Sequence, residues 1–139
     1  MKKILVLCTG NSCRSQMAHG FLASILNEDY IIYSAGTHPE LVNKYAVEVM
    51  SEKGIDISDY KSNHIDEYVN NDIDFVLTVC DNAMDKCPVF PKATTFIHKS
   101  FQDPAKARGP YDQVINIYRD VRDKLEGYIN NDFIGIISS

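Results

Sequence analysis

The chain has 139 residues, 45% of them apolar and 24% charged, with a formal net charge of −5. That is the composition of one ordinary globular domain, residues 1–139, able to bury a core without staples. The acidic balance argues against a nucleic-acid footprint, so any anionic ligand must be held by a local device. With no run of 18 apolar residues, no membrane-spanning helix is expected.

Lys2 and Lys3 followed by Ile4-Leu5-Val6-Leu7-Cys8 imitate the start of an export signal. The apolar stretch gives way to Thr9-Gly10-Asn11-Ser12, short of the roughly 7–15 residues such a signal needs. A buried strand from Lys3 to Cys8 in a cytoplasmic protein is the expectation. From Ser15 onward Ala18, Phe21, Leu22, Ile25 and Leu26 keep the spacing of a helix with one inward face. Tyr30 to Ser34 reads as a second strand, ended by Ala35-Gly36. Asn43 to Lys53 reads as a second helix with Ala46, Val49 and Met50 inward, stopped by Gly54. Ile73 to Val79 is a third strand and Thr94 to His98 a short fourth. Tyr111 to Ile129 is a long helix with Val114, Ile117, Tyr118, Val121, Leu125 and Tyr128 inward, and with Asp120, Arg122, Asp123 and Lys124 on a solvated face. Phe133-Ile134-Gly135-Ile136-Ile137 leaves an apolar tail that can pack on the core or meet another chain.

Alternating strands and helices predict an α/β domain with a parallel sheet covered on both faces. Ligands of such sheets bind beyond the C-terminal strand ends. The first strand ends at Cys8 and the third near Cys80, so topology alone brings two cysteines to one rim.

The cysteines, at 8, 13, 80 and 87, and the histidines, at 19, 38, 64 and 98, match no zinc spacing, and no metal is expected. In a cytosolic chain, disulfides are usually transient and catalytic.

The first strand-to-helix junction, Cys8-Thr9-Gly10-Asn11-Ser12-Cys13-Arg14-Ser15, has the form C-x5-R-S. Gly10 and Asn11 tolerate left-handed backbone, so the loop can curl its amides inward as an anion nest at a helix N-terminus. Arg14 adds a planar fork suited to two oxygens of a tetrahedral oxyanion. Cys8 at the base is the candidate nucleophile, favoured as thiolate by those dipoles, with Ser15 placed to donate to its sulfur. Cys13 receives no chemical role beyond its backbone in the loop. The plain alternative is a buried Cys8 and a surface-paired Arg14.

After the third strand, Asp81 or Asn82 can cap a short helix that Pro88 ends. Within it Cys80 and Cys87 would have Cα atoms about 10.5 Å apart at 1.5 Å per residue, beyond the roughly 7 Å a disulfide tolerates. Oxidation of this pair therefore requires the helix to unwind; two buried structural cysteines are the competing reading. Asp103, before Pro104, is either a general acid for a departing oxygen or an ordinary turn residue.

Leu7 to Ala18, Tyr33-Ser34-Ala35-Gly36, Gly54 to Ser58, Cys80-Asp81, Lys86-Cys87-Pro88 and Asp103-Pro104-Ala105 together resemble the thioredoxin-coupled arsenate reductases, which share the fold of the low-molecular-weight protein tyrosine phosphatases. The resemblance implies a three-layer domain with a four-stranded parallel sheet flanked by helices. It implies that Thr9 to Arg14 bind the oxyanion (arsenate, with phosphate or sulfate as analogues), that Cys8 forms a thiol–arsenate adduct, and that Asp103 protonates the departing oxygen. Cys80 then attacks Cys8, and Cys87 attacks Cys80, leaving a Cys80–Cys87 disulfide for thioredoxin, an external reductant rather than a bound cofactor. A monomer is expected.

Two departures stand out. Relatives with a potassium site place Glu at position 19 and Asp at 63, where this chain has His19 and Asn63, although Asn11 and Ser34 remain. Lys106 to Tyr111 lacks an acidic run often found there. A phosphomonoester or phosphotyrosine phosphatase, needing only Cys8, Arg14, Ser15 and Asp103, is the alternative enzyme; a non-catalytic redox-sensing oxyanion module is the alternative of another class.

Overall fold

The computed structural model describes residues 1–81 and 94–138. Four strands, β1 (Lys2–Cys8), β2 (Tyr30–Gly36), β3 (Phe75–Thr78) and β4 (Thr95–His98), form one parallel sheet in the order β2-β1-β3-β4. Ile4 to Leu7 of β1 are fully buried. Because successive strand residues point to opposite faces, both faces are covered there, as a central parallel strand requires. Cys8 lies opposite Gly36, and Thr78 opposite both Leu7 and His98. β1 and β3 are neighbours, so Cys8 and Cys80 do reach the same rim.

Three helices pack on one another: α1 (Arg14–Ile25), α2 (Lys44–Ser51) and α3 (Tyr111–Tyr128). Asn43 caps α2 by accepting from the amides of Tyr45 and Ala46, and Gly54, at φ 75°, supplies the left-handed turn after it. In α1, Ala18, Phe21 and Leu22 are buried as expected, but Ile25 is 41% exposed. The helix ends there, and extended backbone at Leu26 turns that side chain inward instead.

Two expectations for α3 change. Ile115 is buried where Ile117 was expected, and Ile117 is half-buried. Arg122, read as part of a solvated face, is only 7% exposed. Its guanidinium donates to the Val49 carbonyl at 2.9 Å, to Glu52 at 2.7 Å and to Asp123 at 2.8 Å. Val49 is in the last turn of α2, whose carbonyls lack helical partners, so Arg122 serves as a side-chain cap.

The helix also continues past its expected end. Leu125, Ile129, Phe133 and Ile137 are all buried, at intervals of four residues. An α-helix advances 3.6 residues per turn, so such a stripe would drift by about 40° at each step. A wide turn over Ile129–Phe133 takes up that drift before α4 (Ile134–Ser138). The apolar tail thus packs on the protein's own core. Phe133 of the tail packs on Tyr128 at 6.4 Å, and Tyr128 meets Phe101 edge-on at 5.9 Å, which places the tail behind a residue that touches the functional rim. Among the described residues no helix is long and apolar enough to cross a membrane. The reading of Asn82, Cys87 and Pro88 falls outside the described residues.

Candidate active site

The loop between β1 and α1 is held open from outside. The carbonyls of Thr9, Gly10 and Ser12 accept from the amides of His38, Glu40 and Asn43 at 2.8, 2.8 and 2.9 Å. In a trans peptide the carbonyl and the next N–H point opposite ways. The amides of Gly10, Asn11 and Cys13 are therefore turned away from that segment, toward the inside of the loop. Among the described residues no side chain caps α1, so its first amides keep their positive end for a ligand.

Asn11 is the centre of the loop. It is fully buried and has the positive φ, 48°, that the sequence suggested. Its carbonyl accepts from Gln16 Nε2 at 2.9 Å and Ser62 Oγ at 2.7 Å. Its Oδ1 accepts from the Asn63 amide at 2.8 Å, and its Nδ2 donates to Ser15 Oγ at 2.8 Å. That donor takes one oxygen lone pair of Ser15 and leaves its own proton free to turn to Cys8 Sγ, 2.9 Å away. Sequence reading foresaw the Ser15 contact. It missed Gln16 and Ser62, whose only signal was the polarity of two residues near a turn.

Gly36 was also undervalued, as a mere strand end. A β-carbon there would lie 2.5 Å from the Thr9 carbonyl oxygen and 2.8 Å from the Asn11 nitrogen. The loop backbone crosses directly over this residue, and only glycine leaves room.

Cys8, Arg14 and Asp103 line a cavity of about 140 Å³, with Glu40 and Asn43 also on its wall. Arg14 donates to the Phe101 carbonyl at 3.1 Å and stands 3.6 Å from Asp103 Oδ2. The other carboxylate oxygen of Asp103 accepts from the Ala105 amide at 3.0 Å and caps the turn Pro104–Lys106. Asp103 is thus both a turn residue and a site residue: one oxygen fixes the loop, the other faces the guanidinium. Cys13 is buried, and burial, then the neighbouring Cys8 and Asp103, raise its thiol well above the ordinary cysteine value against the pull of Arg14. Its thiol therefore stays protonated near neutral pH.

Cys80 is buried, with Sγ 3.3 Å from Thr9 Oγ1, a direct contact between the oxyanion loop and the end of β3. It lines a second cavity of about 640 Å³ that shares Thr9, Arg14 and Asp103 with the first. The second thiol therefore borders a space adjoining the oxyanion cradle, with Thr9, Arg14 and Asp103 on the walls of both. Cys87 lies outside the described residues.

Behind the loop, His19 Nδ1 is 2.9 Å from Ser34 Oγ, and its ring packs on Tyr60 at 4.8 Å. Burial lowers its pKa to about 4, so the ring is neutral at physiological pH. Asn63 turns its amide donor to the Ser34 carbonyl at 3.3 Å. A hard monovalent cation needs oxygen ligands and gains from carboxylates; a neutral imidazole and an amide N–H face the position instead, so the residues present do not fit potassium.

The model of the low molecular weight phosphotyrosine protein phosphatases matches residues 3–133. The chain belongs to that family. Within it, the chain is 46% identical to an arsenate reductase of Shouchella clausii over 124 residues, 89% of each protein. A solved arsenate reductase in its oxidised state superposes with a TM-score of 0.80 at 28% identity, covering 98% of this chain and 99% of the other. Another, in a phosphate-binding state, gives 0.74 at 30% identity over 94% and 95%. The fold and family expected from the motifs are thus met, and the four-stranded parallel sheet is the one the resemblance implied.

Proposed function

We propose that this chain is an arsenate reductase working through a three-cysteine relay. Loop amides and Arg14 hold the oxyanion, and Cys8 Sγ attacks arsenic(V). Asp103 protonates the departing oxygen, water leaves, and a Cys8–S–As(V) adduct remains. Cys80 then attacks Cys8 Sγ. The sulfur–arsenic bond breaks, its electron pair stays on arsenic, and arsenite departs from a Cys8–Cys80 disulfide. Cys87 attacks Cys80, frees Cys8, and leaves Cys80–Cys87 for thioredoxin to reduce. Such a cycle needs a reducing compartment, so the proposal includes a cytoplasmic, monomeric enzyme.

One observation carries the choice of reductase over phosphatase: Cys80 shares a rim, a cavity and a Thr9 contact with the oxyanion loop. Ester hydrolysis has no use for a second thiol. The family match and the Cys8, Arg14 and Asp103 set support phosphomonoester hydrolysis as a weak side activity. The test replaces Cys80 and Cys87 separately by serine. Each variant should lose thioredoxin-dependent turnover and keep ester hydrolysis. Cys80→Ser should stop at the adduct; Cys87→Ser should release one arsenite and trap Cys8–Cys80. Sustained multiple turnover by Cys87→Ser would leave the phosphatase reading ahead, and oxidation without any arsenite would leave the redox-sensing module.

A further inference from the structure

The end of β3 carries a hydrogen-bond chain that the oxyanion cradle does not use. Thr78 and His98 close neighbouring strands and stand opposite in register. Thr78 is 3% exposed, and its hydroxyl lies 2.7 Å from His98 Nδ1. On the far side of the ring, His98 Nε2 lies 2.9 Å from Asp81 Oδ1. A carboxylate only accepts, so Nε2 carries a proton; in the neutral ring, Nδ1 then accepts from Thr78. One imidazole thus ties the last residue of β3 to the residue that follows Cys80.

Cys80 lies between these anchored positions. Backbone bonds fix the residues before it: the Val79 amide donates to Leu7, the Val79 carbonyl accepts from Phe101, and the Thr78 carbonyl accepts from Lys99, at 3.0 to 3.1 Å. On its far side, the described anchor is Asp81 on His98. A thiol attacking a second sulfur must hold a near-attack geometry, and displacement by about 1 Å can cost a hundredfold.

We propose that His98, acting through Asp81, is a positioning residue that sets the reach of Cys80 toward Cys8. The inference rests on the relay proposed above and concerns only its second step. There, Cys80 forms a bond to Cys8 Sγ, the Cys8–arsenic bond breaks with its electron pair remaining on arsenic, and the thiol proton leaves with arsenite. His98 touches none of the reacting atoms.

The experiment is a single turnover with arsenate, quenched in time. Arsenite release and the Cys8–Cys80 bridge are followed by mass mapping, and hydrolysis of p-nitrophenyl phosphate reports the cradle in the same samples. His98→Ala and Asp81→Ala should each slow bridge formation tenfold or more while ester hydrolysis stays within twofold. Asp81 is the safer variant, because its side chain is 72% exposed and its truncation should cost little stability. Asp81→Asn keeps an oxygen acceptor for Nε2–H and should restore the rate to within threefold of wild type. Unchanged bridge formation in either alanine variant, an equal loss of ester hydrolysis, or failure of Asp81→Asn to rescue overturns the assignment. A wild-type protein that releases no arsenite and forms no Cys8–Cys80 bridge overturns the reductase reading itself, and the role of His98 with it.

Discussion

The two strand ends that carry the cysteines are built differently. At the end of β1 the cradle is held by a buried network: Asn11 bonds through its carbonyl, its side-chain oxygen and its side-chain amide, and Gly36 lets the loop lie flat against β2. At the end of β3, Cys80 meets the loop through one described contact, Thr9, and is flanked by the exposed Asp81–His98 pair. The first arrangement suits a site that binds a rigid tetrahedral anion and gains from preorganisation. The second suits a thiol that must exchange one partner for another, since its described polar contact is one hydroxyl that it can leave without opening the Asn11 network.

The largest test of that contrast removes the nucleophile. Cys8→Ser should abolish both arsenate reduction and ester hydrolysis, whereas changes at Cys80 spare the latter. Retention of arsenate turnover by Cys8→Ser would show that the cradle at the end of β1 is not the reacting site. Next in size is Asp103→Asn, which keeps the turn-capping oxygen and loses the transferable proton. Oxyanion binding should stay close to normal while adduct formation slows by about a hundredfold, the scale of general acid catalysis. An unchanged single-turnover rate would reduce Asp103 to the cap of its turn.

How much of this was legible depended on the kind of signal. The parallel sheet, the C-x5-R-S nest, the Ser15 contact and the shared rim of Cys8 and Cys80 follow from local patterns: strand periodicity, left-handed-tolerant residues, and the rule that ligands sit beyond strand ends. What could not be read was set by distant packing. Arg122 looks solvated on its own helix and becomes buried only because the end of α2 presents unpaired carbonyls to it. Gln16 and Gly36 gain their meaning from a loop that crosses them, and the continuation past Ile129 needs a wide turn that no helical period anticipates. Asp103 was left open between two readings: one of its oxygens caps the turn, and the other stands 3.6 Å from Arg14 at the cradle, where the acid role is a proposal.

A smaller effect separates the loop from the helices. Gly36→Ala places a methyl group against backbone atoms that cannot rotate away, so it should cost about 1–3 kcal/mol of stability, as overpacking does. Ester hydrolysis should fall more than tenfold. Gly127→Ala is the matched control: its β-carbon meets nothing within 4 Å, and the helix should gain roughly 0.5–1 kcal/mol. Chemical denaturation of both variants checks this, and equal outcomes would mean the loop does not rest on Gly36.

The last expected effect is a pH dependence at the β1 end. His19 touches Ser34, and the Ser34 hydroxyl reaches Gln16 Oε1 at 3.4 Å, so its ring supports the residue that holds the Asn11 carbonyl. In the unfolded chain His19 titrates near 6.5; burial holds it neutral in the fold until about pH 4. Between these values the unfolded state binds more protons, so stability falls as pH is lowered, by up to about 3 kcal/mol at 1.36 kcal/mol per unit. Above pH 6.5 this linkage contributes nothing. Glu52 acts in a different window. Its hydrogen bond to Arg119, with Arg122 assisting, lowers it from 4.5 to about 2, so its stabilisation is complete above pH 4.5 and is lost only below that. Among the described groups with a shifted pKa, His19 alone therefore falls in the interval from 6.5 to 4.5. His19→Gln, which keeps a polar partner for Ser34 and cannot take a proton, should flatten the unfolding free energy across that interval, read by urea denaturation at several pH values. A variant whose slope matches wild type would place the proton uptake elsewhere and detach His19 from the support of the loop.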